Sequence, residues 1–258
     1  MVVPLSPPLV VRQGGLECRL HFAGTPVAPG RPTFVLVHGI GMSHRYLRRL
    51  AAVLAPHGQV CLIDLPGSGA NATPAHPLTV ETFAALIGHA LDAAGISSCV
   101  LLGHSMGAQF AVELAVRRPA LVSHLLLVSP VVDPERRSTG HQALGLAADS
   151  LVESASANAI VFSDYWRCGP RWYFASLPAM LGYPIENRIR LVEQPVLVLR
   201  GSRDPIARAA WCRELAGRAR DGRFAEIEGQ PHVVQHSAPD EVAAQILAFV
   251  TAPVGRDA

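Results

Sequence analysis

A chain of 258 residues, half of them hydrophobic and only 16% charged, is long enough to bury a large core, and its polarity fits a sheet covered by helices on both faces. Lys+Arg 22 against Asp+Glu 20 leaves a net charge of +2, which gives no electrostatic reason to expect nucleic acid or an anionic membrane as a partner. Five cysteines, with Cys61 and Cys99 inside apolar runs, argue against a disulfide framework. Met1–Pro8 lacks the basic and apolar regions of a signal peptide, and no uncharged apolar span is long enough for a membrane helix, so a cytoplasmic protein is expected.

In chain order, Leu9–Arg12 and Leu16–Phe22 read as two strands joined by a Gly14-Gly15 turn. A Pro/Gly-rich loop from Gly24 to Pro32 leads into the buried strand Thr33–Val37, which ends in His38-Gly39-Ile40-Gly41. Ser43–Ala55 reads as a helix with Ser43 as N-cap and with Arg45, Arg48 and Arg49 on its solvated side. Val60–Ile63 is the next strand, followed by Asp64-Leu65-Pro66-Gly67-Ser68-Gly69. Its Gly-x-Gly lacks the third glycine and the following helix of a dinucleotide site, so it reads as a turn without a cofactor. Thr79–Ala94 is helical.

Cys99–Leu102 is a short, continuously apolar strand that stops at Gly103-His104-Ser105-Met106-Gly107, and Ala108–Arg118 carries apolar residues at helical spacing. Ser105 is therefore expected on a sharp strand-to-helix turn, its hydroxyl clear of the sheet, with the Met106 amide at a helix N-terminus where it can donate to a developing oxyanion. His124–Val128 is a further strand. From Val131 to Glu193 the alternation breaks and no clear strand appears. Val196–Leu199 restores it, followed by Arg200-Gly201-Ser202-Arg203-Asp204-Pro205. Helix Arg208–Ala219, strand Phe224–Ile227, Gly229-Gln230-Pro231-His232 and helix Asp240–Val250 complete the chain. Strands alternating with crossover-sized helices imply an α/β fold with a mostly parallel central sheet, whose ligands gather at the carboxyl ends of the strands.

The elbow, the His-Gly-x-Gly loop and the Asp-x-Pro-Gly-x-Gly turn resemble the α/β-hydrolase superfamily, in its serine-nucleophile branch, over about Val10 to Val250. The resemblance implies that 131–193 is a small helical cap inserted after the sixth strand, with 1–130 and 194–258 forming the core domain. It implies that the Ile40 amide is a second oxyanion donor beside that of Met106. Ser105 needs a base and an orienting carboxylate, and His232 and Asp204 stand at strand ends in the chain order Ser, Asp, His expected of this fold. The competitors are His236, four residues past His232, and Asp133, after the sixth strand. Serine at position 105 argues against haloalkane dehalogenases and epoxide hydrolases, which use aspartate there, and Val233 departs from the tryptophan common in carbon-carbon bond hydrolases of this fold.

The expected function is hydrolysis of a carboxylic ester, thioester or lactone of a small to medium apolar or aromatic substrate through an acyl-enzyme, a carboxylesterase activity. The alternatives are a slow-turnover ligand receptor that keeps the three residues and a carbon-carbon bond hydrolase. No cofactor is expected and no metal, since His44, His104 and His141 show no ligand pattern with acidic or thiolate partners in the sequence. The cap holds Phe162, Tyr165, Trp166, Trp172, Tyr173, Phe174 and Tyr183, rings that serve either as its own core or as a pocket lining. His44, Trp166, Trp172 and Tyr173 are the pocket candidates.

Overall fold

A computed structural model of the chain describes residues 3–24 and 31–252, so most of the Gly24–Pro32 loop lies outside the described residues. The first strands, β1 (Leu9–Gln13) and β2 (Leu16–Ala23), form an antiparallel hairpin. Its two-residue turn needs positive φ at both positions, and Gly14 (57°) and Gly15 (79°) supply it. Then follow β3 (Thr33–Val37), α1 (Arg48–Leu54), β4 (Gln59–Asp64), α2 (Val80–Ala93), β5 (Cys99–His104), α3 (Gly107–Arg117) and β6 (Val122–Val128). Four helices come next: α4 (Thr139–Val152), α5 (Ala155–Cys168), α6 (Pro170–Gly182) and α7 (Ile185–Arg188). The chain closes with β7 (Val196–Gly201), α8 (Ala209–Arg218), β8 (Gly222–Ile227), α9 (Val234–Ser237) and α10 (Pro239–Thr251). The sheet order is β1-β2-β4-β3-β5-β6-β7-β8, antiparallel at β1-β2 and β2-β4 and parallel elsewhere.

Continuous apolarity in β3 and β5 has a simple cause: every residue of both strands is buried, because helices cover both faces. Along β3, Val35 and Val37 pack with residues of α2 and α3, while Phe34 and Leu36 pack on the opposite face with Leu50 and Leu54 of α1 and Ile246 and Phe249 of α10. Each such side chain contributes about 1.5–3 kcal/mol when fully buried. The parallel strands all point one way, so the loops after β3, β4, β5, β6, β7 and β8 collect along one edge of the sheet. Every chemically interesting motif of the sequence lies in one of those loops.

Helices α4–α7 lie between β6 and β7 and are tied down by buried carboxylates. Asp164 of α5, 3% exposed, accepts from Ser43 N–H (3.0 Å), Ser43 Oγ (2.7 Å) and Arg45 Nη1 (2.8 Å). Glu113 of α3 accepts from Tyr183 Oη (2.8 Å), just past α6, from Arg188 Nε (2.9 Å) in α7, and from Arg117 Nε (2.6 Å) in its own helix. The sequence reading put Arg45, Arg48 and Arg49 on a solvated face, and the fold corrects this. Arg45 grips Asp164, Arg48 donates to Val3 O (2.9 Å) and Arg49 to His236 O (3.2 Å), so each guanidinium reaches a segment far away in sequence. All five cysteines are buried and free. Among the described residues no helix is long and apolar enough to cross a membrane.

Candidate active site

Ser105 sits between β5 and α3 at φ 56°, a left-handed conformation that serine rarely adopts. Its N–H donates to Val128 O (3.0 Å), and its carbonyl accepts from Ala108 N–H (3.1 Å), so the turn is held from both sides. The flanking glycines are sterically required. A Cβ on Gly103 would lie 2.2 Å from Gly107 O, and one on Gly107 would lie 2.6 Å from the carbonyls of Val37 and His38. A Cβ on Gly39 would meet Ser105 Cβ at 3.0 Å, so the His-Gly-x-Gly loop runs directly against the serine. Met106 caps α3, and among the described residues no acceptor takes the N–H of Ile40 or of Met106. The two amides sit on the loop and the elbow that meet at this contact.

His232 follows β8, and its Nδ1 lies 2.9 Å from Asp204 Oδ2. Asp204, 3% exposed, also accepts the N–H of Ile206 (2.8 Å) and of Ala207 (2.9 Å) at Oδ1. Burial would raise its pKa, but His232 and these hydrogen bonds hold it below the ordinary carboxylate value. For His232 burial works the other way, and the charge and hydrogen bond of Asp204, with the fields of Asp149 and Glu153, outweigh it and raise the imidazole above 6.5. A carboxylate that receives Nδ1–H leaves Nε2 free to take a proton.

The two competitors are engaged elsewhere. Asp133 binds Arg208, whose Nε donates to Oδ2 at 2.9 Å, and its Oδ1 caps the turn at Glu135 N–H (2.9 Å). His236 meets Ser156 Oγ at 3.1 Å, where α5 passes. His38 accepts Leu65 N–H at Nε2 (3.1 Å), so Nδ1 carries the proton and donates to Gly39 O (2.8 Å).

Three contacts that sequence reasoning missed join the parts of the site. The carbonyl of His232 can only accept, so His104 Nε2 (3.1 Å) carries the proton. Burial pushes His104 down to about 3, so it is neutral and its Nδ1 accepts from Tyr46 Oη (2.9 Å). Tyr46 Oη in turn accepts Gly39 N–H (3.0 Å). The direction of every hydrogen bond follows from the one carbonyl at its end, and the relay connects the Gly39-Ile40 loop, the elbow and the histidine loop. His104 and Tyr46 were legible only as apolar-context residues, because their partners come from other loops.

A cavity of about 50 Å³ opens beside Ser105 and His232. Its lining is mostly apolar, with Ile40, Met42, Val131, Met180 and Ile206 among the contributors and with Tyr165 and Tyr173 supplied by α5 and α6. The pocket candidates divide. Tyr173 lines this cavity, its ring 5.1 Å from that of Tyr165. Trp172 lines a smaller one on the far side of Gly39 and Ile40, with Met106. Trp166 is 87% exposed, because it projects from the outer face of α5. His44 is drawn away to Asp64: its Nδ1 (2.9 Å) and His21 Nε2 (3.0 Å) both meet Asp64 Oδ2, with the two rings stacked at 3.9 Å. The sequence shows no ligand pattern that joins His44 to an acidic partner, and the fold corrects this, since β4 carries Asp64 to it. Among the described residues, His21, His44 and Asp64 are the group whose donor atoms, all within 4.8 Å of one another, have metal-ligand chemistry. The three are linked to one another by hydrogen bonds.

The alpha/beta hydrolase family profile matches residues 34–245. A pimeloyl-[acyl-carrier protein] methyl ester esterase of Aromatoleum aromaticum (strain DSM 19018 / LMG 30748 / EbN1) is 30% identical over 254 residues, covering 84% of this chain and 97% of that protein. A protein named as the carbamate hydrolase RutD in Klebsiella pneumoniae (strain 342) is 38% identical over 166 residues, 63% of this chain, and the match spans 60% of the relative's own length. Among solved structures, the enol-lactonase from Burkholderia xenovorans LB400 shares the fold with a TM-score of 0.81 at 22% identity, covering 95% of this chain and all of that one.

Proposed function

The chain belongs to the alpha/beta hydrolase family, and from that premise we propose that it is a serine hydrolase that cleaves a carboxylic ester, thioester or lactone through an acyl-enzyme. The observation that supports this most is the pairing of His232 Nδ1 with Asp204 Oδ2 at 2.9 Å, beside a serine held at φ 56°. In this reading Ser105 Oγ attacks the acyl carbon while His232 Nε2 takes its proton, and Asp204 orients the ring and stabilises the imidazolium. The amides of Ile40 and Met106 receive the charge that develops on the carbonyl oxygen. His232 then returns the proton to the leaving alcohol or thiol, and water reverses the sequence to release the acid.

The cavity limits the substrate. A cavity of about 50 Å³ with a mostly apolar wall fits a short acyl or alkyl chain. The names of relatives span methyl esters and carbamates, so the acyl chemistry is the shared part. A fluorophosphonate probe tests the assignment. It should add once, on the Ser105 peptide, and Ser105→Ala should lose labelling and nearly all turnover of p-nitrophenyl butanoate, keeping at most about 10³–10⁴ over water. Steady multiple turnover separates an enzyme from a slow receptor. Labelling at another serine overturns the mechanism.

A further inference from the structure

Asp149 reaches the cavity from α4 of the cap and is 6% exposed. Its Oδ1 accepts the main-chain N–H of His232 at 3.1 Å, and one turn later Glu153 Oε1 accepts that of Val233 at 2.6 Å. Holding the histidine loop therefore needs no acid inside the cavity, because Glu153, which does not line it, makes the same kind of bond to the adjacent amide. Among the described residues, no side chain or amide satisfies the second oxygen of Asp149, and no arginine lines the cavity to neutralise it. The neighbouring His104 is kept neutral by burial, and His232 is already paired with Asp204. A carboxylate is thus left facing a mostly apolar chamber, shared with Tyr165 and Tyr173, beside Ser105.

We propose that Asp149 is a charge-selecting subsite that takes a cationic or hydrogen-bond-donating group of the substrate and disfavours substrates that place a carboxylate there. This rests on the serine-hydrolase reading above and names the substrate class within it. Charges in a desolvated pocket interact far more strongly than in water, so a carboxylate whose cationic neighbour, His232, is shared with Asp204 is enough to order substrates by charge. Burial, with the charge of Asp204, pushes the Asp149 pKa up against the charge and main-chain N–H of His232, which pull it down.

Two isosteric ester series test it. One carries trimethylammonio, tert-butyl or carboxylate at the acyl end of p-nitrophenyl esters; the other joins pentanoate to choline, 3,3-dimethylbutanol or 3-hydroxypropanoate. Wild-type kcat/KM should fall in the order cation, neutral, anion in at least one series, by about tenfold across it. Asp149→Asn keeps an oxygen for the His232 amide and should compress that order to about twofold, whereas Glu153→Gln should preserve it. The wild-type profile decides alone if a variant fails to fold. A flat profile with good turnover of neutral esters overturns the subsite and leaves the Ser105 chemistry standing. An order that survives Asp149→Asn, or that Glu153→Gln abolishes, overturns Asp149 as the selecting group. No turnover of any neutral ester overturns both readings.

Discussion

Tyr46→Phe removes one oxygen and no packing volume, so it isolates the relay from Gly39 through Tyr46 to His104. Tyr46 is fully buried, and its hydroxyl serves two buried groups: the Gly39 N–H at 3.0 Å and His104 Nδ1 at 2.9 Å. Each loses its only described partner at that atom. An orphaned buried polar group costs about 1–3 kcal/mol, so the variant should lose at least about 2 kcal/mol. For a domain of this size that is a fall in Tm of at least about 4 °C. Gly39 precedes Ile40, the proposed oxyanion donor, and loss of a whole donor costs about 10²–10³ in kcat, so a loosened one should cost on the order of tenfold with little change in KM. Thermal unfolding followed by circular dichroism and steady-state kinetics on p-nitrophenyl butanoate measure both quantities. A Tm within about 1 °C of wild type together with kcat within about twofold would refute the reasoning, because it would mean that the hydroxyl orders nothing.

Asp204→Asn should cut kcat by about 10⁴ while the protein still folds, and Asp133→Asn, whose carboxylate is occupied by Arg208, should change kcat little; the reverse pattern moves the orienting acid to the loop after β6. Because His232 must be neutral to act as base and its pKa is raised, kcat/KM should rise with pH along a limb centred above 6.5, and Glu153→Gln should move that limb toward lower pH by removing one of the charges that hold the proton. The same raised value means that the stability His232 contributes is complete below 6.5 and is lost as pH climbs through the folded-state pKa, which denaturant titrations at several pH values will read. Gly103→Ala should abolish folding, since its Cβ would lie 2.2 Å from the Gly107 carbonyl, whereas Gly140→Ala in the first turn of α4 meets nothing within 4 Å and should leave Tm unchanged or slightly raised. Along a chain-length series of p-nitrophenyl esters, kcat/KM should climb from acetyl to about butanoyl or pentanoyl at roughly 0.8 kcal/mol per buried methylene, then drop by octanoyl as the cavity of about 50 Å³ fills. Tyr173→Ala should shift that optimum and Trp166→Ala should not, as Trp166 is 87% exposed.

What the sequence by itself determined is everything carried by a short window. The apolar runs at Thr33–Val37, Cys99–Leu102 and Val196–Leu199 are strands because continuous apolarity over four or five residues is stable only where both faces are covered, and Ser105 is at an elbow because Gly103 and Gly107 allow backbone to approach backbone. The order of Ser105, Asp204 and His232 was likewise legible, since each follows a recognisable strand. Only the tertiary structure decided the partners. Arg208 occupies Asp133, Asp64 draws His44 away from the cavity, Trp166 turns to solvent, Tyr46 and Asp149 reach the site from distant segments, and His104 beside Ser105 meets the His232 carbonyl. Periodicity says which residues are buried but not against what. Which cation a carboxylate meets, or which carbonyl an imidazole reaches, depends on the angle at which loops from different strands meet at the sheet edge, and local sequence does not encode that angle.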